Sequence, residues 1–270
     1  MLYFVPTPIG NLSDISQHSL EIISSCEIVF CEDTRVTKSL INLLKTRYNL
    51  EIKDKIFYSL HSHNEESFLK NIDIEIFSKK CVYMSDAGMP CISDPGVGLV
   101  KFAQENGIEY EVISGANALL LAVAASGLVE KEFTFLAFLP NLGKERAIAI
   151  QNALNSPYPT VIYESPKRIL SLVEDIVKLD ENRKLFLIKE ASKKFEKKFF
   201  ETSLNLVKIL KDENLNGEWS VVVQKSPNST VERINLKDIE ELEIPPKQKA
   251  KLLSKLTGEN SKEIYKKLTK

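Results

Sequence analysis

The chain has 270 residues, 43% of them hydrophobic and 27% charged. This composition suits a globular protein of one large or two ordinary domains, and it excludes both a disulfide-stapled miniprotein and wholesale disorder. Thirty-six Lys and Arg against 37 Asp and Glu leave a net charge of −1, so any nucleic-acid binding has to come from a local basic patch rather than bulk charge.

Short β-branched or aromatic runs at 2–5, 28–31, 56–59, 81–84 and 110–113 each lead into a polar or Gly-containing stretch and then a helix-like segment. That alternation predicts a largely parallel sheet in an α/β domain. Phe68, Ile72, Ile76 and Phe77 recur at helical spacing between two of these runs. The apolar stretch 118–125 is well short of the ~18 residues a membrane span needs and reads as a buried helix. Gly127 follows it, which puts a domain junction within 115–132. A second α/β set follows, with strands expected at 133–138, 160–163, 185–189, 198–201 and 218–225 and helices around 145–154, 169–179 and 204–210. Ser226-Pro227-Asn228-Ser229 reads as a linker, and Pro245-Pro246 opens a helical tail with eight lysines (247, 249, 251, 255, 262, 266, 267, 270) against Glu259 and Glu263. The expected division is 1–116, 117–226 and 227–270.

Cys26, Cys31, Cys81 and Cys91 form no Cys-x-x-Cys pair, which fits reduced thiols in a cytoplasmic protein and argues against a zinc knuckle. The first hydrophobic run is interrupted by Pro6, Pro8 and Gly10, so export is not expected. Neither a membrane partner nor a metal is expected.

In open parallel sheets, ligands bind outside the carboxyl ends of the strands. The five loops there are 6–11, 32–35, 61–65, 85–88 and 114–117. Each also reads as ordinary structure: Pro-x-Pro-x-Gly as a turn, Asp33-Thr34 as a helix cap with Arg35 pairing a carboxylate, and His61 and His63 as surface residues. The dense Gly/Pro run from Ser85 to Gly98 points instead to close approach of a ligand to the backbone. Neither G-x-x-x-x-G-K-[ST] nor G-x-G-x-x-G between first strand and helix occurs, which disfavours a nucleoside triphosphate or nicotinamide dinucleotide. A ligand with little phosphate and a positive centre, such as S-adenosyl-L-methionine, suits such loops.

The stretches Val5-Pro6-Thr7-Pro8-Ile9-Gly10-Asn11-Leu12, Glu32-Asp33-Thr34-Arg35, His61 with His63-Asn64-Glu65, Ser85-Asp86-Ala87-Gly88-Met89-Pro90 with Ile92-Ser93-Asp94-Pro95-Gly96, Tyr163-Glu164-Ser165-Pro166 with Arg168, and Gly217-Glu218 are weak singly and specific in this order. On them the chain resembles the tetrapyrrole-methylase-like (class III) S-adenosylmethionine-dependent methyltransferases, over nearly its whole length, and within that family the branch that methylates a cytidine ribose 2′-hydroxyl in small-subunit ribosomal RNA. The resemblance implies two α/β domains with the donor S-adenosyl-L-methionine in the cleft between them, a small C-terminal helical module, a homodimer, and small-subunit ribosomal RNA or the small ribosomal subunit as partner. It implies donor contacts at Pro8, Gly10, Asp86, Ala87, Met89, Ala116 and Asn117. It assigns proton transfer and ribose positioning to Asp33, Arg35, His63 and Glu65, faced by Glu164 and Arg168. The chain departs from the family pattern at Ser114-Gly115-Ala116-Asn117, where Pro-Gly-Pro-Ser is usual, at Met89 for Thr, Cys91 for Gly, Lys167 for His, and Ala191-Ser192 for Leu-Thr. Lys193, Lys194, Lys197, Lys198 and the tail lysines are expected to meet RNA phosphates, with no aromatic stacking platform among them. C-methylation of a tetrapyrrole and a non-catalytic RNA-binding or ribosome-assembly role are the competing readings.

Overall fold

The computed structural model describes residues 1–227 and 236–269. Asn228 and Ser229 of the expected linker, and Lys270 of the tail, lie outside the described residues.

The first sheet contains β1 (Leu2–Val5), β2 (Ile28–Cys31), β3 (Ile56–Ser59), β4 (Cys81–Met84) and β5 (Tyr110–Val112), all parallel, in the order β3-β2-β4-β1-β5. Its helices are α1 (Gln17–Ser25), α2 (Thr34–Tyr48), α3 (Glu65–Asn71) and α4 (Val97–Glu105). Every residue of β2 and β4 is buried, the pattern of strands covered on both faces. Alternate side chains divide between two cores. Val5, Val29, Cys31, Val82 and Met84 pack with α1 and α2 residues such as Ile23, Ile41 and Leu44. Leu2, Phe4, Ile28, Phe30 and Tyr83 pack with Phe68 of α3 and Leu99 and Ala103 of α4.

α5 (Ala118–Ser126) leads to the second sheet, built from β6 (Thr134–Phe138), β7 (Thr160–Glu164), β8 (Lys184–Lys189), β9 (Lys197–Thr202) and β10 (Trp219–Val223) in the order β6-β7-β10-β8-β9. Only β6 and β7 are parallel; β10 runs antiparallel to both β7 and β8, and β8 to β9. α6 (Gly143–Asn155), α7 (Ile169–Leu179) and α8 (Ser203–Lys211) supply the large core of this half, with Ile150, Leu172, Ile176 and Leu206 against Leu187, Trp219 and Val221. On the opposite face α5 packs Leu119 and Ala122 against Val161, Phe186, Ile188 and Val222, a cluster that Ile9 from the first half joins. The expectation of a buried helix at 118–125 is corrected, because one side of α5 lies on the sheet while Leu120 and Leu121 stay 55% and 39% exposed.

Residues 1–225 form one compact unit and 226–270 another. Described by itself, the second comprises α9 (Leu236–Glu240), α10 (Pro246–Thr257) and α11 (Ser261–Leu268), which bury Ile239, Ala250, Leu253 and Ile264 together. Pro246 stands at the start of α10, where its missing N–H costs nothing.

Candidate active site

β1, β2 and β4 are neighbours, so the loops leaving their carboxyl ends meet. Thr7 and Gly88 exchange backbone hydrogen bonds of 2.9 and 3.1 Å, the Thr7 hydroxyl donates to the Ser85 carbonyl at 3.2 Å, and the Ser85 hydroxyl donates to the Gly88 carbonyl at 3.1 Å. The loop after β2 is tied to the same turn: the Asp86 N–H donates to Glu32 Oε1 at 3.4 Å, and the Asp33 N–H donates to Asp86 Oδ1 at 3.3 Å. Farther along, the Cys91 N–H donates to the Pro95 carbonyl at 3.3 Å. Cys91 and Ser93 have φ of +67° and +69°, a left-handed geometry that is uncommon without glycine. Cys91 is the position where the family pattern carries Gly, and the required φ gives the reason for that preference. At Gly96 (φ +111°) a Cβ would fall 2.7 Å from the Tyr83 ring, so only glycine fits both the turn and the space.

Between these loops and the second sheet lies a cavity of about 390 Å³, within the size range of small-molecule sites. Its first-half wall comprises Ile9, Glu32, Asp86, Ala87, Met89 and Asp94. Asn117 and Ala118 at the start of α5, and Tyr163, Glu164, Ile188 and Glu218 from the other half, complete it. Burial pushes the carboxyls of Glu32 and Asp86 upward. Asp94 is pushed up to about 7 by burial, with the charges of Glu32 and Asp86 adding to it. Burial also raises the Tyr163 phenol to about 12, so the phenol stays neutral.

Of the residues expected at the site, Asp86, Ala87, Met89, Asn117 and Glu164 line this cavity. Pro8, Gly10, Asp33 and Arg35 line an adjoining open hollow of about 570 Å³ that shares Asp86. There Arg35 Nη2 and Asp33 Oδ2 are 2.6 Å apart, and the Arg35 hydrogen bonds hold the Asp33 carboxyl far below the usual carboxylate range. Ala116 faces a third hollow, beside Leu120 and Leu121. Asn117 accepts the Leu120 N–H at 3.2 Å and so caps α5, a role in which the Asn of this chain and the Ser usual in the family are equivalent.

His63, Glu65 and Arg168 do not line the cavity. Glu65 Oε1 instead accepts the N–H groups of Gly96 and Leu99, both at 3.1 Å, acting as the cap that glycine at the start of α4 cannot provide. The His63 ring lies 6.0 Å from that of His61. Arg168 Nη2 is 2.7 Å from Glu164 Oε1, while Arg146 Nη1 is 3.2 Å from Glu164 Oε2; Arg168 also donates to Asn141 Oδ1. Glu164 is therefore a buried carboxylate neutralised by two guanidiniums. Glu32, Asp94, Tyr163 and Glu218 were missed as site residues, although each lies inside one of the motifs that carry the family resemblance.

The family profile described as tetrapyrrole (corrin/porphyrin) methylases matches residues 1–207. The chain belongs to the tetrapyrrole methylases. This methylase is 65% identical to the ribosomal RNA small subunit methyltransferase I of Campylobacter fetus subsp. fetus over 99% of each chain. It is 40% identical to the protein of the same name from Helicobacter pylori strain J99, over 98% of this chain and 96% of that one. Among solved structures, a cobalt precorrin-4 methyltransferase of cobalamin biosynthesis superposes with TM-score 0.57 at 14% identity, covering 83% of this chain and 94% of the other. A uroporphyrin III C-methyltransferase from Thermus thermophilus superposes with TM-score 0.54 at 14% identity, covering 82% and 96%. The two structures share the fold.

The methylase uses S-adenosylmethionine as methyl donor, and the cavity fits it. Ile9, Met89, Ala118 and Ile188 offer apolar wall suited to an adenine, while Glu32 and Asp86 supply carboxylates suited to a sulfonium and ribose hydroxyls. Among the described residues no group of three His, Cys, Asp or Glu is placed to hold a metal ion, and no helix is long and apolar enough to cross a membrane.

The lysines in the turn after β8 and at the start of β9 differ from one another. Lys193 pairs with Glu190 and Glu218, Lys197 with Glu213, and Lys198 with Glu196. Lys194 instead lies 5.6 Å from the centroid of the Phe195 ring, and Phe195 is 73% exposed. The turn that reverses the chain between two antiparallel strands turns Phe195 outward.

Proposed function

We propose that this chain transfers a methyl group from S-adenosyl-L-methionine to the 2′-hydroxyl of a cytidine in small-subunit ribosomal RNA, acting in the cytoplasm as a homodimer. The full-length 65% identity to a relative named for methylation of this RNA carries the reading. The carboxylate-lined cavity at the carboxyl ends of β1, β2 and β4 supplies a site for the chemistry.

When bound, S-adenosyl-L-methionine supplies a methyl group already activated by its sulfonium. Asp86, Ala87, Met89 and Asn117 would hold it, together with Ile9, and Pro8, Gly10 and Ala116 shape the loops on either side. Asp33 and Arg35, at the rim of the adjoining hollow, are assigned to ribose and phosphate positioning, because a guanidinium locked to its own carboxylate is a rigid donor fork. Glu164 and Arg168 hold the Ser165-Pro166 turn against the cavity, and Glu65 acts at one remove by seating α4. Alignment of two reactants contributes roughly 7–11 kcal/mol against the 10²–10⁴-fold of a base, so positioning dominates.

Lys194 with Phe195, and Lys247, Lys251, Lys255, Lys262 and Lys266 of the helical tail, are assigned to RNA contact. Supporting this, none of these lysines pairs with a carboxylate among the described residues. The division at 116/117 is supported by the packing of α5 on the second sheet, and the homodimer by the exposed Leu120 and Leu121; light scattering of the purified chain checks the latter. Tritiated methyl transfer to purified small ribosomal subunits, followed by nucleoside analysis, tests the activity. Label recovered in 2′-O-methylcytidine supports the proposal. Label in a base, or none, refutes it, and label on a porphyrinoid substrate instead would favour tetrapyrrole C-methylation.

A further inference from the structure

We propose that Asp94 is the group that takes the proton from the attacking ribose hydroxyl. This inference rests on the methyl-transfer reading above and extends it to a residue that the expected site did not include.

Five carboxylates line the cavity: Glu32, Asp86, Asp94, Glu164 and Glu218. Four are engaged. Glu164 lies between Arg146 and Arg168, Glu218 pairs with Lys193, Glu32 accepts the Asp86 N–H, and Asp86 accepts the Asp33 N–H. Asp94 has neither a hydrogen bond nor an ion pair among the described residues. Its place in the chain, three residues before α4, suggests a cap for that helix, but Glu65 already accepts the N–H groups of Gly96 and Leu99. The Asp94 carboxylate is therefore left for the cavity. Its loop is fixed by the left-handed Cys91 and Ser93, by Pro95 and by the close packing of Gly96 on Tyr83, so the group is positioned rather than floppy.

The charged and titratable groups that face Asp94 come from several elements: Glu32 after β2, Asp86 after β4, Tyr83 on β4, Cys91 on its own loop and Tyr163 on β7. None is a cation. Burial and the two carboxylates raise Asp94 to about 7, and a base titrating near the working pH is the most effective kind. In the step, the ribose oxygen forms its bond to the methyl carbon while the carbon–sulfur bond breaks and leaves its electron pair on sulfur. The hydroxyl proton passes to Asp94, whose carboxylate becomes a neutral acid. Charge is conserved, because the sulfonium has become a neutral thioether.

The test measures single-turnover methylation of small ribosomal subunits from about pH 5.5 to 9 for the wild type and Asp94→Asn, with donor binding by calorimetry. The expected result is a wild-type rate that rises through an apparent pKa near 7. Asp94→Asn is expected to be slower by about 10²–10⁴-fold, to lack that limb and to bind donor normally. A variant with the wild-type rate and profile overturns the proposal. Should the variant fail to fold, carbon-13 NMR of the wild type labelled at the aspartate carboxyls decides: a carboxyl titrating near 7 supports it, and none above about 6 overturns it. A wild type that gives no 2′-O-methylcytidine overturns the activity itself, and the proposal with it.

Discussion

A Cβ placed on Gly10 would fall 2.1 Å from Cγ of Lys193. The loop leaving β1 and the turn after β8 thus pack backbone against aliphatic stem. Gly10 also has a φ of +155°, which L side chains rarely adopt. Gly10→Ala has to push Lys193 away from Glu190 and Glu218 and open the wall of the donor site. We expect at least a tenfold loss of donor affinity by calorimetry, about 1.4 kcal/mol. Unchanged affinity would show that this contact does not shape the site.

Glu65 caps α4 by accepting the N–H groups of Gly96 and Leu99. Glu65→Ala leaves the Gly96 and Leu99 N–H groups without their acceptor, and loss of such a cap costs about 0.5–2 kcal/mol. The expected outcome is a lower melting temperature with donor-saturated turnover retained at low temperature. A collapse of turnover in a fully folded variant would return Glu65 to the catalytic group.

Glu164→Gln leaves the buried Arg146 with only Asp175, 3.8 Å away, as a counter-ion and removes the carboxylate that Arg168 pairs with. Removing one partner of a buried ion pair costs about 3–5 kcal/mol, so this variant is expected to be among the least stable single substitutions in the chain. Urea unfolding followed by the fluorescence of Trp219, which pairs with Glu164 across β10 and β7, measures it.

Asp94 also makes stability depend on pH. In the folded chain it holds its proton up to about 7, whereas unfolded it ionises near ~3.9. Between these values the folded state binds more protons, so wild-type stability falls as pH rises through that window. Asp94→Asn removes the loss. Its unfolding free energy should match the wild type's at about pH 4 and exceed it at about pH 8, by on the order of 1–2 kcal/mol after solvent screening. Parallel curves would show that Asp94 is not held neutral.

Phe195 and Lys194 would offer the proposed RNA contact different things. Phe195→Ala is expected to lose a base-stacking contribution of about 1–3 kcal/mol with little change in salt dependence. Lys194→Ala should lower the salt slope by about one phosphate contact. Filter binding of small-subunit RNA across a salt series separates the two, and no effect from either would move the RNA surface elsewhere.

Much of the fold was legible in the residues because its signals are local. β2 and β4 are unbroken apolar runs in sequence and buried throughout in space. Thr37, Ile41 and Leu44 mark the inward stripe of α2 at helical spacing, and Pro246 opens α10. α5 misled for the same reason: ALLLAVAA is apolar on every side, so its composition carries no sign of which face the second sheet covers.

The sequence by itself determined the strand–loop–helix alternation and the family motifs, since turn chemistry and apolar periodicity act over a few residues. Only the tertiary structure decided which cavity carboxylates are spent and which, among the described residues, is free. Glu65 reaches 31 residues along the chain to cap α4, and Arg146 lies 18 residues from the Glu164 it neutralises. A carboxylate's chemistry follows from burial and from its donors, and donors that distant become neighbours only when the sheets assemble.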